Sequence, residues 1–304
     1  MSQSSIESGY HSHNDEPTQP KPNMARILTD KYRLENEYAI DKLLMNSANG
    51  RIYTGVDMRT KQKLIFKQIP RVNCHSWTQL DGHLVPAEIA FHFKAADFDH
   101  DEVVIAPITW MEKKSSFVLV MEYVENSCDL FELSKKYGAL GEEAACIIYR
   151  QLIQMCQCLK RAGICHRDIK DENIIVSLDT LQLKLIDFGC ATKHIATGTT
   201  TDFSGTPEFY PPEYWRNRAY THDGLTTWSV GIVIYIMLKG GLPYVELGEI
   251  GHFRIECDQL YQKSSEMVKR VLKSTLHSFP SARANLDELT CLGRQWEESL
   301  NNTV

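Results

Sequence analysis

The stretch HRDIKDENII, residues 166–175, places six ionisable side chains and an asparagine in ten positions and then turns apolar. A second acidic fragment, IDFG at 186–189, follows shortly. Either fragment alone is common, and a loop aspartate is more often a turn former than a catalyst. Their order gives them weight. Lys67 is expected at the end of a strand and Glu88 on the next helix. Asp168, Asn173 and Asp187 come next, and GTPEFYPPEYW (205–215) closes the series.

Such a set suits transfer of a phosphoryl group. That reaction needs a cation clamp, an aligned nucleophile and a closed pocket more than it needs covalent help. Asp187 offers a hard carboxylate for a magnesium ion that bridges phosphates, and Asn173 offers a neutral oxygen for a second. Asp168 can accept or orient the proton of an incoming hydroxyl. Lys170 can lie against the transferred phosphate. Lys67 would hold the other phosphates, positioned by a partly buried ion pair with Glu88 whose loss should hurt more than loss of a surface pair.

Working outward, GEEAACIIYRQLIQMCQCLKRAG (141–163) carries Ile148, Leu152, Met155 and Leu159 at helical spacing, with Gly163 as its stop. Downstream, NIIVS (173–177) and LKLIDF (183–188) read as a strand pair, and Gly189 to Gly205 as a Thr/Gly-rich loop. WSVGIVIYIML (228–238) is apolar on all sides, the mark of a buried helix. Upstream, RIYTGVDM (51–58), QKLIFKQI (62–69) and SFVLVMEYV (116–124) read as strands, and VPAEIAFHFKAA (85–96) as a helix. The expected class is α+β, with a small β-rich lobe (32–122), a connection (122–126), a larger helical lobe (127–293) and a tail (294–304). Residues 1–31 are poor in apolar side chains and read as a disordered arm.

An apolar fraction of 43% over 304 residues is enough for a sizeable core. The net charge of −6 gives no reason to expect nucleic acid or an anionic membrane. The cysteines number nine, an odd count without a CxxC pair, so free thiols in a reducing compartment are expected. The N-terminal residues lack the basic start and apolar core of a signal peptide, and 228–238 is too short to span a bilayer. A soluble protein of the cytoplasm and also the nucleus is the expectation.

The ordered motifs resemble a eukaryotic protein kinase over about residues 38–293. HRDIKDENI, LKLIDFG, YTG (53–55), TDFSGT (201–206) and YPPEYW (210–215) are closer still to the Pim family of serine/threonine kinases. The resemblance implies the two-lobed kinase fold, ATP and Mg2+ as cofactors, and a monomer that phosphorylates serine or threonine. It assigns the nucleotide to Leu44, Gly50, Ile52, Lys67, Glu122, Val124 and Ile175, with the Glu122 carbonyl and Val124 amide facing adenine. Val124 stands where Pim kinases carry a proline, so an N–H is restored. The resemblance also implies an activation segment held without phosphorylation by an Asp202–Arg167 pair. It further implies a Thr206 contact near Asp168 and a Glu213–Arg283 brace. Substrates with arginine before the target residue would be read by Asp129, Glu132, Asp171 and Glu172 through carboxylate–guanidinium pairing.

Several positions depart from the kinase pattern. Met45 and Ser47 replace two glycines of the phosphate loop, and only Gly50 remains. Ile65 replaces a small residue above the adenine, an overpacking that typically costs about 1–3 kcal/mol. LTT (225–227) before Trp228 lacks an aspartate most kinases have, as Pim-like kinases do. These roof substitutions support a second reading, a catalytically weak or inactive kinase-fold interaction protein. A small-molecule kinase is a third, against which the peptide-platform segment GTPEFYPPE stands.

Overall fold

A computed structural model describes residues 26–28, 36–47 and 50–302. The smaller lobe holds β1 (Arg26–Leu28), β2 (Tyr38–Ser47), β3 (Gly50–Asp57), β4 (Lys63–Pro70), a hairpin of β5 (Trp77–Leu80) and β6 (His83–Pro86), β7 (Pro107–Glu112) and β8 (Ser116–Glu122). Six of these form one sheet in the order β1-β7-β8-β4-β3-β2. The pairings are antiparallel except that β1 runs parallel to β7. β1 falls within the stretch read as a disordered arm; its backbone pairs with the edge of β7, which would otherwise present open hydrogen-bonding groups. The rest of that arm lies outside the described residues.

The two-residue period of β4 positions the site. Leu64 and Phe66 join Tyr38, Met111, Val118 and Val120 in one apolar cluster. Ile65 and Ile69 pack into another, with Ile89, Phe93, Leu119 and Met121. Lys67 shares the face of Ile65 and Ile69, so the pleat turns it towards the helix and the interlobe cleft. The strand does not end at Lys67 but continues to Pro70, paired with β8 throughout.

Helix α1 (Ala87–Asp97) starts directly after Pro86 and carries Glu88 in its first turn, where a carboxylate suits the helix dipole. The larger lobe opens with β9 (Ser127–Asp129) and α2 (Leu130–Tyr137), whose first turn is capped by Asp129 accepting from the Glu132 N–H at 2.7 Å. Helix α3 (Glu142–Arg161) buries Ile148, Leu152, Met155 and Leu159, and Gly163 at φ 63° follows it. Next come β10 (Ile164–Cys165), β11 (Ile174–Ser177), β12 (Leu183–Leu185) and β13 (Thr192–Lys193). Register pairing of Ile174 with Leu185 brings Asn173 beside Ile186 and Asp187 at one end of this sheet.

Helix α4 (Pro212–Asn217) leads to α5 (His222–Lys239), which is buried without a break from Thr227 to Leu238. Around it stand α6 (Leu247–Ile250), α7 (Gln259–Lys263), α8 (Glu266–Thr275) and α9 (Leu286–Asn301). Residues 294–301, within the segment read as a tail, continue α9. A reciprocal Asn285/Glu288 cap starts this helix, and Trp296 is fully buried against Tyr149 at 5.7 Å, so the segment has a core side chain to hold it.

Candidate active site

Lys67 comes from the face of β4 that looks at α1, and the ion pair with Glu88 is formed at 2.6 Å. The same ammonium meets Asp187 Oδ1 at 2.8 Å. Burial disfavours the charge on Lys67, yet Glu88 and Asp187 overcome it and its pKa is raised. Burial would raise Asp187 too, but Lys67 and the Gly189 N–H at 2.9 Å pull it down to about 2. Glu88 goes up, through burial and the neighbouring Asp187 carboxylate, with Lys67 pulling against both. Asp187 sits at φ 61°, a left-handed conformation that side chains seldom adopt and that the surrounding contacts must hold.

Asp168 is held from three directions. Thr206 donates to its Oδ1 from both Oγ1 (2.7 Å) and its backbone N–H (2.9 Å). Asn173 Nδ2 donates to Oδ2 and to the backbone carbonyl, both at 2.8 Å. Lys170 Nζ stands 3.9 Å from Oδ2 and pairs with Glu172 at 2.6 Å. Gly205 makes the close approach possible. At φ 115°, a Cβ there would lie 2.4 Å from the Arg167 carbonyl. Because Asn173 turns its nitrogen to Asp168, its oxygen is left as a donor to a cation beside Asp187. A neutral amide oxygen with a carboxylate is a hard donor set that fits magnesium.

Leu44, Ile52, Ile65, Lys67, Met121, Glu122, Val124 and Ile175 line a cavity of about 410 Å³ between the lobes. A second cavity of about 840 Å³ adjoins it and is lined by Ser47, Gly50, Asp168, Lys170, Asn173 and Asp187. Met45 and Ile52 line both. In this roof the strands β2 and β3 stay paired up to Ser47 and Gly50. Gly50 is obligatory, since at φ 141° a Cβ would come within 2.2 Å of the Gln68 carbonyl. The cavity wall is also tied across the lobes: Lys184 of β12 pairs with Glu122 at 2.9 Å, and the Ala106 N–H donates to the same carboxylate at 2.7 Å.

Farther out, Arg167 pairs with Asp202 at 2.5 Å and donates to the Cys190 carbonyl at 2.7 Å. Glu213 and Arg283 form a two-pronged buried pair at 2.6 and 2.8 Å. Asp129 and Glu132 line the large cavity, while Asp171 lines a separate one with Glu208 and Thr206; Glu172 borders both.

The profile of the family described as "Protein kinase domain" matches residues 38–294. The chain belongs to the protein kinase family. It is 30% identical over 280 residues to the serine/threonine-protein kinase pim-2 of Danio rerio, covering 90% of this chain and 89% of the relative. It is 31% identical over 213 residues to the serine/threonine-protein kinase prk-2 of Caenorhabditis elegans, covering 70% of this chain and 47% of that one. A PAS domain-containing serine/threonine-protein kinase of Mus musculus is 31% identical over 250 residues, 81% of this chain and 17% of the relative. The chain is thus a serine/threonine protein kinase with modest identity to the Pim type. No helix among the described residues is long and apolar enough to cross a membrane.

Several residues that line or brace the candidate site were not among those read from the sequence. Met121 and Ile186 were hidden in apolar runs, where one residue looks like another. Lys184 carried no local signal, because its partner Glu122 is distant in sequence. His92 did carry one: a polar residue four positions after Glu88, on the same face of a helix that buries Ile89 and Phe93.

Proposed function

We propose that this kinase is catalytically active, using ATP with magnesium to phosphorylate serine or threonine in arginine-rich protein segments, and that it works without activation-segment phosphorylation. The observation that carries this reading is Lys67 held between Glu88 and Asp187 while Asp168 faces the same cavity. A metal ion beside Asp187 and the Asn173 oxygen would supply charge neutralisation for the phosphates. The substrate hydroxyl attacks the γ-phosphorus, the bond to the ADP oxygen breaks, and the hydroxyl proton passes to Asp168. Thr206 and Asn173 keep that carboxylate aimed, which lowers the entropy cost of alignment. Lys170 offsets charge on the group in flight. Leu44, Gly50, Ile52, Glu122, Val124 and Ile175 would enclose the nucleotide, with the Glu122 carbonyl and Val124 amide towards adenine.

The Asp202 carboxylate on Arg167 supports a permanently ordered activation segment, since it fills the role a phosphate would otherwise take. Preference for arginine is supported by Asp129, Glu132, Asp171 and Glu172. Asp171 is buried, has no salt bridge among the described residues, and is pushed up to about 6 by burial and by Glu172. An incoming guanidinium would relieve it. All nine thiols are free, in keeping with a reducing compartment such as cytoplasm or nucleus, and likeness to the Pim type supports action as a monomer.

The interaction-protein reading draws on one observation, the Met45 and Ile65 side chains lining the nucleotide cavity. Phosphate transfer from labelled ATP to an arginine-rich serine peptide separates the two. Transfer by the parent and none by Asp187→Asn is the expected result. No transfer by the parent at saturating ATP, on peptide or on itself, would leave the interaction reading standing.

A further inference from the structure

His92 lies one helical turn beyond Glu88 on α1 and is 1% exposed. Its ring stacks on Phe188, which follows Asp187, with centroids 4.7 Å apart and planes 20° apart. His166 closes the column edge-on to the same phenyl ring at 5.0 Å. An aliphatic side chain would satisfy such packing. The imidazole does something more, because its Nε2 sits 2.7 Å from the Ile105 carbonyl oxygen. A carbonyl only accepts, so Nε2 carries the proton. Burial keeps the ring neutral, holding it at about 4.

The acceptor belongs to a segment that is itself fixed. The Ile105 N–H donates to the Leu185 carbonyl at 3.0 Å, and the Leu185 N–H donates to Val103 at 2.8 Å. Asp99 holds the Val103 and Val104 N–H groups at 3.0 and 2.8 Å. Leu185 ends β12, two residues before Asp187. Through Ile105, His92 therefore connects the helix that carries Glu88 to the strand that leads to Asp187, the two carboxylates that share Lys67.

We propose that His92 is a positioning residue: its hydrogen bond to the Ile105 carbonyl latches α1 in the register that closes the Lys67–Glu88–Asp187 network. The inference rests on the kinase reading only for its effect on turnover, since the latch itself is a property of the helix. Without the donor, a buried carbonyl is orphaned and the open form of α1 gains population by about tenfold. A glutamine keeps an N–H at the reach of Nε2. A leucine fills the volume and donates nothing.

The test compares the parent with His92→Gln and His92→Leu in the full chain. It measures amide hydrogen exchange across residues 87–97 and phosphate transfer to the arginine-rich peptide. In the leucine variant, exchange should be about tenfold faster in this helix alone and kcat should fall by the share of closed α1 that is lost, about tenfold at most; glutamine should recover most of both. A side chain that only fills space gives the opposite ranking, with leucine at or above the parent and glutamine worst, and that ranking overturns the proposal. Should the leucine variant not fold, His92→Asn, whose amide stops short of Ile105, takes its place with the same expectation. If no protein transfers phosphate, parent included, the activity reading fails, while the exchange ranking still decides the latch.

Discussion

The Glu213–Arg283 pair allows a sharp test of what holds the larger lobe together. Both side chains are nearly sealed from water, at 7% and 1% exposure. The guanidinium also donates to the His277 carbonyl at 2.8 Å and the Gly224 carbonyl at 3.0 Å, and lies 5.0 Å above the Trp228 ring. Glu213→Ala removes two charge-assisted hydrogen bonds and strands a buried cation. Breaking such a pair from one side costs about 3–5 kcal/mol. The two carbonyls and the indole remain, so the lower end applies, about 3 kcal/mol, which is roughly 6–12 °C in unfolding midpoint for a domain of this size. Thermal unfolding followed by circular dichroism would read it. Glu213→Leu with Arg283→Met should recover most of the loss, because the penalty comes from the orphaned charge and not from missing attraction. A midpoint within about 2 °C of the parent for Glu213→Ala would refute the reasoning.

Other outcomes follow from the same contacts. Asp202→Ala frees Arg167, but Asp202 is 68% exposed, so the pair is screened; kcat should fall roughly 2- to 5-fold with KM for ATP unchanged, and an unaltered kcat in steady-state assays would show that the segment orders itself by other means. Ile65→Ala with Met45→Gly opens the nucleotide cavity, and calorimetric titration with ATP and magnesium should show tighter binding by roughly 5-fold or more; weaker binding would mean these side chains grip the base. Asp171 titrates near 6 in the folded chain against 3.8 unfolded, so ionising it costs folding free energy as pH rises across that window. The charged form is also the one that attracts arginine. KM for the arginine-rich peptide should therefore climb as pH drops below about 6 in the parent and stay flat in Asp171→Asn, while a pH-independent KM in the parent would remove Asp171 from peptide recognition.

Much of the site was legible because its chemistry is local and its residue types have few substitutes. Asp168 and Asn173 are five residues apart and bond directly, so one short string shows both. The pleat of β4 sends Lys67 to the face opposite Leu64 and Phe66, which any alternating pattern would have disclosed. The unbroken apolar run of α5 announced a buried helix, and it is one. How residues 294–301 are held was not legible, for the converse reason: a single tryptophan in a polar sequence gives no warning that Tyr149, distant along the chain, waits to cover it.

The amino-acid sequence by itself determined the reaction class, the identity of the charged residues and the order of the elements that carry them. Chemistry at phosphates demands particular side chains, and period and spacing are properties of the local chain. Only the tertiary structure decided which further residues support that chemistry. His92 becomes a latch because the Ile105 carbonyl lies 2.7 Å away, and Glu122 becomes a lobe-to-lobe tie because Lys184 reaches it. Such roles depend on which distant groups share a buried space, and burial is settled only when the whole chain has packed.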